Sequence, residues 1–66
     1  MFIKVIYNNE EWVYQCYNYS IYRAHEDKSI LTLNIEGPNN VYLKFTEPFP
    51  EIFVMNNDGK TIERYT

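Results

Sequence analysis

Five clusters of turn-forming residues cut this chain into short segments, and those segments alternate in polarity. Asn8 to Glu11, His25 to Ser29, Gly37 to Asn40, Glu47 to Pro50 and Asn56 to Gly59 all read as turns. No run between them keeps helical spacing, whereas alternation with a period of two marks a strand with one buried face. The chain therefore reads as all-β, a small antiparallel meander of five to six strands in one domain over residues 1–66. A curled barrel and a compact sandwich both satisfy the pattern.

Residues facing each other across an antiparallel pair lie on the same side of the sheet, so each hairpin can be tested for register. A four-residue loop over Asn8 to Glu11 sets Tyr7 opposite Trp12, Val5 opposite Tyr14 and Ile3 opposite Cys16. A loop centred on Pro38 sets Ile35 opposite Val41, Leu33 opposite Leu43 and Leu31 opposite Phe45, with Thr32 facing Lys44 and Asn34 facing Tyr42 on the other side. Asp58-Gly59 suits a two-residue type I′ turn, which places Met55 opposite Ile62 and Phe53 opposite Arg64. The closing segment, Lys60 to Tyr65, is polar enough for a sheet edge.

The segment from Trp12 to Ala24 does not keep one face. Trp12, Tyr14 and Cys16 share a phase, but Tyr17, Tyr19 and Ile21 follow in the other. A bulge or sharp bend at Cys16 to Asn18 reconciles them and lets the strand curl around a barrel or pass between two sheets. Pro48 and Pro50 forbid a central strand between Thr46 and Glu51, which leaves Phe49 to plug one end of the core from a loop.

A chain of this length buries only about 60% of the surface its unfolded form exposes, so its stability margin is small. The lone cysteine, Cys16, offers no intrachain disulfide and fits a reducing cytoplasm. The opening Met1 to Tyr7 is too short an apolar stretch for a signal peptide, and no segment is long enough to span a membrane. Six Lys and Arg against nine Asp and Glu give a net charge of −3 without blocks. Duplex nucleic acid is therefore not an expected partner, because phosphate contact needs clustered cations. Self-association into a homo-oligomer is the expected source of extra stability.

Residues with chemical potential are sparse. His25, Glu26 and Asp27 could supply metal ligands or an acid–base pair, yet neighbours in one turn rarely converge on an ion, and a solvated hairpin tip is the simpler reading. Cys16 points inward by phase, as a small apolar residue rather than a nucleophile. The glutamates mostly flank turns, and Gly37 and Gly59 stand alone, without the spacing of a phosphate loop. Neither a cofactor nor a metal is expected, nor is enzymatic activity.

The aromatic surplus is the remaining signal. Seven tyrosines, four phenylalanines and one tryptophan exceed what the core needs. With Ile3, Val5, Tyr7, Trp12, Tyr14, Tyr19, Ile21, Leu31, Leu33, Ile35, Val41, Leu43, Phe45, Phe49, Val54 and Ile62 assigned inward, Phe2, Ile6, Tyr17 or Tyr22, Tyr42 and Tyr65 remain outside. Tyrosine rests comfortably on a wet sheet face, but it also combines large contact area with few torsions to freeze. Tyr17, Tyr22, Arg23, Tyr42, Lys44, Arg64 and Tyr65 are the expected binding residues, and another protein is the expected partner.

This general character, a tiny acidic β domain rich in tyrosine and asparagine, resembles that of many small proteins encoded by phages and mobile elements. The resemblance is one of composition, covers no specific motif and carries over no residues. The outward aromatics combined with the negative charge point to an interaction module, an inhibitor or adaptor that binds a host protein. Two other readings stay open. Tyrosines closed by Arg23, Lys44 or Arg64 could line a pocket between protomers that sequesters a small molecule or nucleotide. Tyr22, Tyr42 and Tyr65 beside those cations could instead stack the bases of a single strand.

Overall fold

A computed structural model describes residues 1–65. Seven strands form in chain order: β1 (Phe2–Tyr7), β2 (Glu10–Gln15), β3 (Asn18–Arg23), β4 (Ile30–Glu36), β5 (Val41–Thr46), β6 (Glu51–Met55) and β7 (Thr61–Tyr65). No described residue is helical. The strands make two antiparallel sheets, one of order β2-β1-β6-β7 and one of order β3-β4-β5. Both sheets are open, so the all-β expectation holds while the count of five to six strands and the barrel closure do not.

The extra strand comes from the break inside residues 12 to 24. β2 ends at Gln15 in one sheet, and β3 starts at Asn18 in the other. The switch falls between neighbouring amides: Cys16 N–H donates to the Met1 carbonyl at 2.9 Å, and Tyr17 N–H donates to the Glu36 carbonyl at 2.9 Å. The phase change at Cys16 to Asn18 is therefore a change of sheet. A second crossing returns the chain through Pro48 and Pro50 to β6, which pairs with β1.

One core serves both sheets. Ile3, Val5, Ile52 and Val54 meet Leu33, Ile35 and Cys16, all buried. Ile52 was missing from the expected core, although it shares the phase of Val54 and sits opposite Val5. The β4–β5 register is as the sequence predicts, from Ile35 opposite Val41 to Leu31 opposite Phe45.

Two turns differ from expectation. Asn8 and Asn9 both take positive φ, 51° and 64°, so the first hairpin turns in two residues rather than four. Asparagine tolerates this left-handed region better than most residues do. Val5 then faces Trp12 and Ile3 faces Tyr14, a shift of two that leaves every side chain on its expected face. In the last hairpin only Gly59 has positive φ, at 83°, and its N–H donates to the Asn56 carbonyl at 3.0 Å. That four-residue turn replaces the two-residue one. Phe53 still faces Arg64, but Met55 faces Thr61, and Ile62 is the unpaired residue of a bulge. Ile62 is accordingly 56% exposed instead of lying in the core.

Candidate functional site

The free face of the three-stranded sheet carries the expected tyrosines. Side chains alternate along β4, so with Leu33 and Ile35 in the core, Thr32 and Asn34 point outward. Thr32 has Tyr22 on one side and Lys44 on the other, while Asn34 has Ser20 and Tyr42. Tyr22 and Tyr42 are both exposed, yet Thr32 between the strands is only 2% exposed. The large neighbours roof it over. The hydroxyl of Tyr42 interacts with that of Tyr22 and, with a smaller contribution from desolvation, pushes the Tyr22 phenol above its ordinary range. Lys44 sets its ammonium 5.6 Å from the Tyr42 ring centre.

Tyr22 also borders a cleft of about 250 Å³ lined by Ile21, Arg23, Leu31, Phe49 and Tyr65. Arg23 stands where an inward residue of β3 reaches the end of the core, and its guanidinium lies 4.7 Å from the centre of the Phe49 ring. Phe49 was expected to plug the core end, but it is half-buried and stands apart from the side chains packed on the core, as the platform on which Arg23 rests. Tyr65 was expected outside, but it occupies the core-facing side of β7 opposite Ile52. Its hydroxyl donates to Glu63 Oε2 at 2.7 Å, and so does that of Tyr19, also at 2.7 Å. Both donors hold the Glu63 carboxyl below its usual range, and the carboxylate in turn pushes both phenols up.

Of the seven expected site residues, Tyr22, Tyr42 and Lys44 therefore share the free face of the three-stranded sheet, and Arg23 and Tyr65 line the core-end cleft that Tyr22 borders. The other two stand apart. Tyr17 is 71% exposed at the sheet switch, the opposite end of β3. Arg64 lies on the outer face of the four-stranded sheet, 3.4 Å from Glu51 and 5.2 Å from the Phe53 ring centre, with Lys4 on the same ring at 5.0 Å.

Sequence reasoning set Glu63 aside with the other glutamates as turn-flanking charge. Its signal was present, since Glu63 and Tyr65 share a phase along β7, but assigning Ile62 inward hid it. It also passed over a second cleft of about 280 Å³, where Tyr7, Trp12, Tyr14, Leu43 and Phe45 line the gap between β2 and β5. Each of those residues was assigned to the core. Trp12 does face inward, but β2 is a sheet edge and nothing lies beyond it, so the indole is 39% exposed.

The remaining candidates have structural roles. Asp27 accepts hydrogen bonds from the Ser29 amide at 3.0 Å and the Ser29 hydroxyl at 2.5 Å, which lower its pKa and close the turn. Among the described residues no group of three His, Cys, Asp or Glu side chains could hold a metal ion. Cys16 is buried, and burial pushes its thiol up, against the slighter opposing pull of the N-terminal charge. No described helix is long and apolar enough to cross a membrane. No family model, curated protein or solved structure matches the chain.

Proposed function

We propose that the chain is a non-enzymatic interaction module that binds another protein, as an inhibitor or adaptor, through the surface formed by Tyr22, Arg23, Tyr42, Lys44 and Tyr65. The observation that carries this reading is the exposed pair Tyr22 and Tyr42, with Lys44 over the Tyr42 ring and Arg23 in the cleft that Tyr22 borders. Arg23 and Lys44 form no ion pair among the described residues, in a chain whose net charge is −3. Rings that bury large area at little entropic cost, beside cations free to meet carboxylates, suit a partner with an acidic rim around an apolar centre. A photo-crosslinking phenylalanine analogue placed at Tyr42 should trap one partner in the source cell. Tyr22→Ala combined with an Arg23→Ala change should abolish that crosslink while the circular dichroism of the folded chain stays unchanged. A crosslink equally strong from Ile62, on the other sheet, would refute this surface.

The Arg23 cleft gives a second reading, the sequestering of a small anion with a flat apolar part that lies against Phe49. At about 250 Å³ the cleft is smaller than the roughly 300–1,000 Å³ typical of ligand pockets, which favours the protein partner. Mass spectrometry of denatured, freshly purified protein would reveal a retained ligand. Single-strand binding is the weakest of the three, because Glu63 sets a carboxylate against the Tyr65 hydroxyl where a nucleic acid would bring phosphates.

A further inference from the structure

We infer that β2 is a homodimerisation edge, and that two copies pair their β2 strands antiparallel about a twofold axis at Trp12, each indole helping to close the aromatic cleft of the other copy. The backbone supplies the first argument. With Asn8 and Asn9 as a two-residue turn, Tyr7 and Glu10 form the closing hydrogen-bonded pair, and such pairs recur at every second residue. The bond from Cys16 N–H to the Met1 carbonyl fixes the same phase at the far end. Glu10, Trp12, Tyr14 and Cys16 thus spend their backbone groups on β1. Those of Glu11, Val13 and Gln15 point off the edge of the sheet.

Gln15 is not available. Gly37, in the β4–β5 turn, lies so close that a Cβ there would sit 2.4 Å from the Gln15 carbonyl oxygen, which covers that end of the edge. Glu11 and Val13 remain. The register that uses both, and leaves Gln15 aside, sets Glu11 opposite the partner's Val13 and Val13 opposite the partner's Glu11. Each pair exchanges two N–H···O bonds. It also keeps core-facing residues of both copies on one side of the joined sheet, as the period of two requires.

The side chains fit a second copy. Trp12 meets the partner's Trp12 at the axis, on the face that carries the cleft of Tyr7, Tyr14, Leu43 and Phe45. This pair is the non-hydrogen-bonded kind, in which side chains approach most closely. On the opposite face Val13 is 53% exposed, and Lys4, its neighbour on β1, lies 4.0 Å from Glu11. Lys4 thereby offsets the two glutamates that the axis brings near each other. Of the usual protections of an edge β2 carries only charge, at Glu10 and Glu11; it has no proline, no lysine and no bulge. β7, the other edge of the same sheet, is polar and bulged.

The surface is distinct from the Tyr22 and Tyr42 face, so either assignment can fail without the other. The test is sedimentation equilibrium of the full chain and of Val13→Glu and Val13→Lys, from dilute solution to about 1 mM, alongside the emission of Trp12, the sole tryptophan. The unaltered chain should form dimers, with Trp12 emission moving to the blue as concentration rises. Val13→Glu should raise the dissociation constant by about tenfold or more, because it faces the partner's Glu11. Within one chain the same glutamate faces Lys4, so weaker association cannot be traced to a weakened fold. Val13→Lys should leave association equal or tighter. A monomer throughout overturns the inference. So does a dimer weakened equally by both substitutions, which would place Val13 against itself, or one indifferent to both, which would place the contact elsewhere.

Discussion

The two flanks of the core are finished differently. Where β3 approaches β7, polar groups bridge the sheets: Tyr19 from one and Tyr65 from the other both donate to Glu63. Where β2 and β5 border the core, the lining is Tyr7, Trp12, Tyr14, Leu43 and Phe45, and it stays open except where Gly37 abuts Gln15. A charge-assisted bridge satisfies its own groups, so what that flank leaves to a partner is the Arg23 cleft beside it. An aromatic cleft beside free backbone groups does ask for one. The difference shows that an unprotected edge is a matter of what caps it, since all four outer strands belong to equally open sheets.

Substitutions can break or sharpen this contrast. The largest effect is expected at Leu33→Ala, which hollows the core beneath both flanks and should cost about 2–5 kcal/mol in denaturant unfolding. Gly37→Ala comes next, because its new Cβ meets a backbone carbonyl that cannot swing aside, at a cost of about 1–3 kcal/mol. It should also loosen the one closed end of the open flank, so the Gln15 amide should exchange faster. Phe45→Leu loses the tilted contact with Tyr7, whose ring centre lies 5.4 Å away. About 0.5–1.5 kcal/mol is expected beyond the change in buried area.

Glu63→Gln should have the smallest effect, and a pH-dependent one. The Glu63 carboxyl is held below its ordinary value of 4.5, so its stabilisation is present above that value and lost as pH falls through the folded-state pKa. Tyr19 and Tyr65 are pushed above their ordinary 10.0, so theirs is present below that value and lost as pH rises past it. Glu63→Gln should flatten the acid limb of the stability profile and bring both phenols back toward 10.0 in an alkaline absorbance titration. An unchanged acid limb would mean that the polar flank is not closed by this carboxylate.

Local pattern revealed much of this. The β4–β5 register and the break at Cys16 could be read because each rests on alternation among near neighbours. The two-residue turn at Asn8 and Asn9 and the bulge at Ile62 could not, because they depend on which residues take positive φ, and asparagine permits that without requiring it. The placement of β1 also escaped the pattern. A first strand could have been an edge, but β1 lies inside its sheet through pairing with the distant β6, and no local signal encodes that. For the site, Tyr22, Tyr42 and Lys44 followed from the register alone. Tyr65 was misplaced because Ile62 was assigned inward, although the Phe53–Arg64 register, which the structure keeps, sets Tyr65 opposite the buried Ile52.

Amide hydrogen exchange followed residue by residue along β2, at two protein concentrations, tests the asymmetry of the flanks most directly. The Trp12 and Tyr14 amides should be protected in both samples, because β1 holds them. Those of Glu11 and Val13 should exchange freely when dilute and become protected when concentrated. Protection of Glu11 and Val13 at high dilution would mean that β2 is no free edge, and free exchange at both concentrations would mean that no second copy covers it.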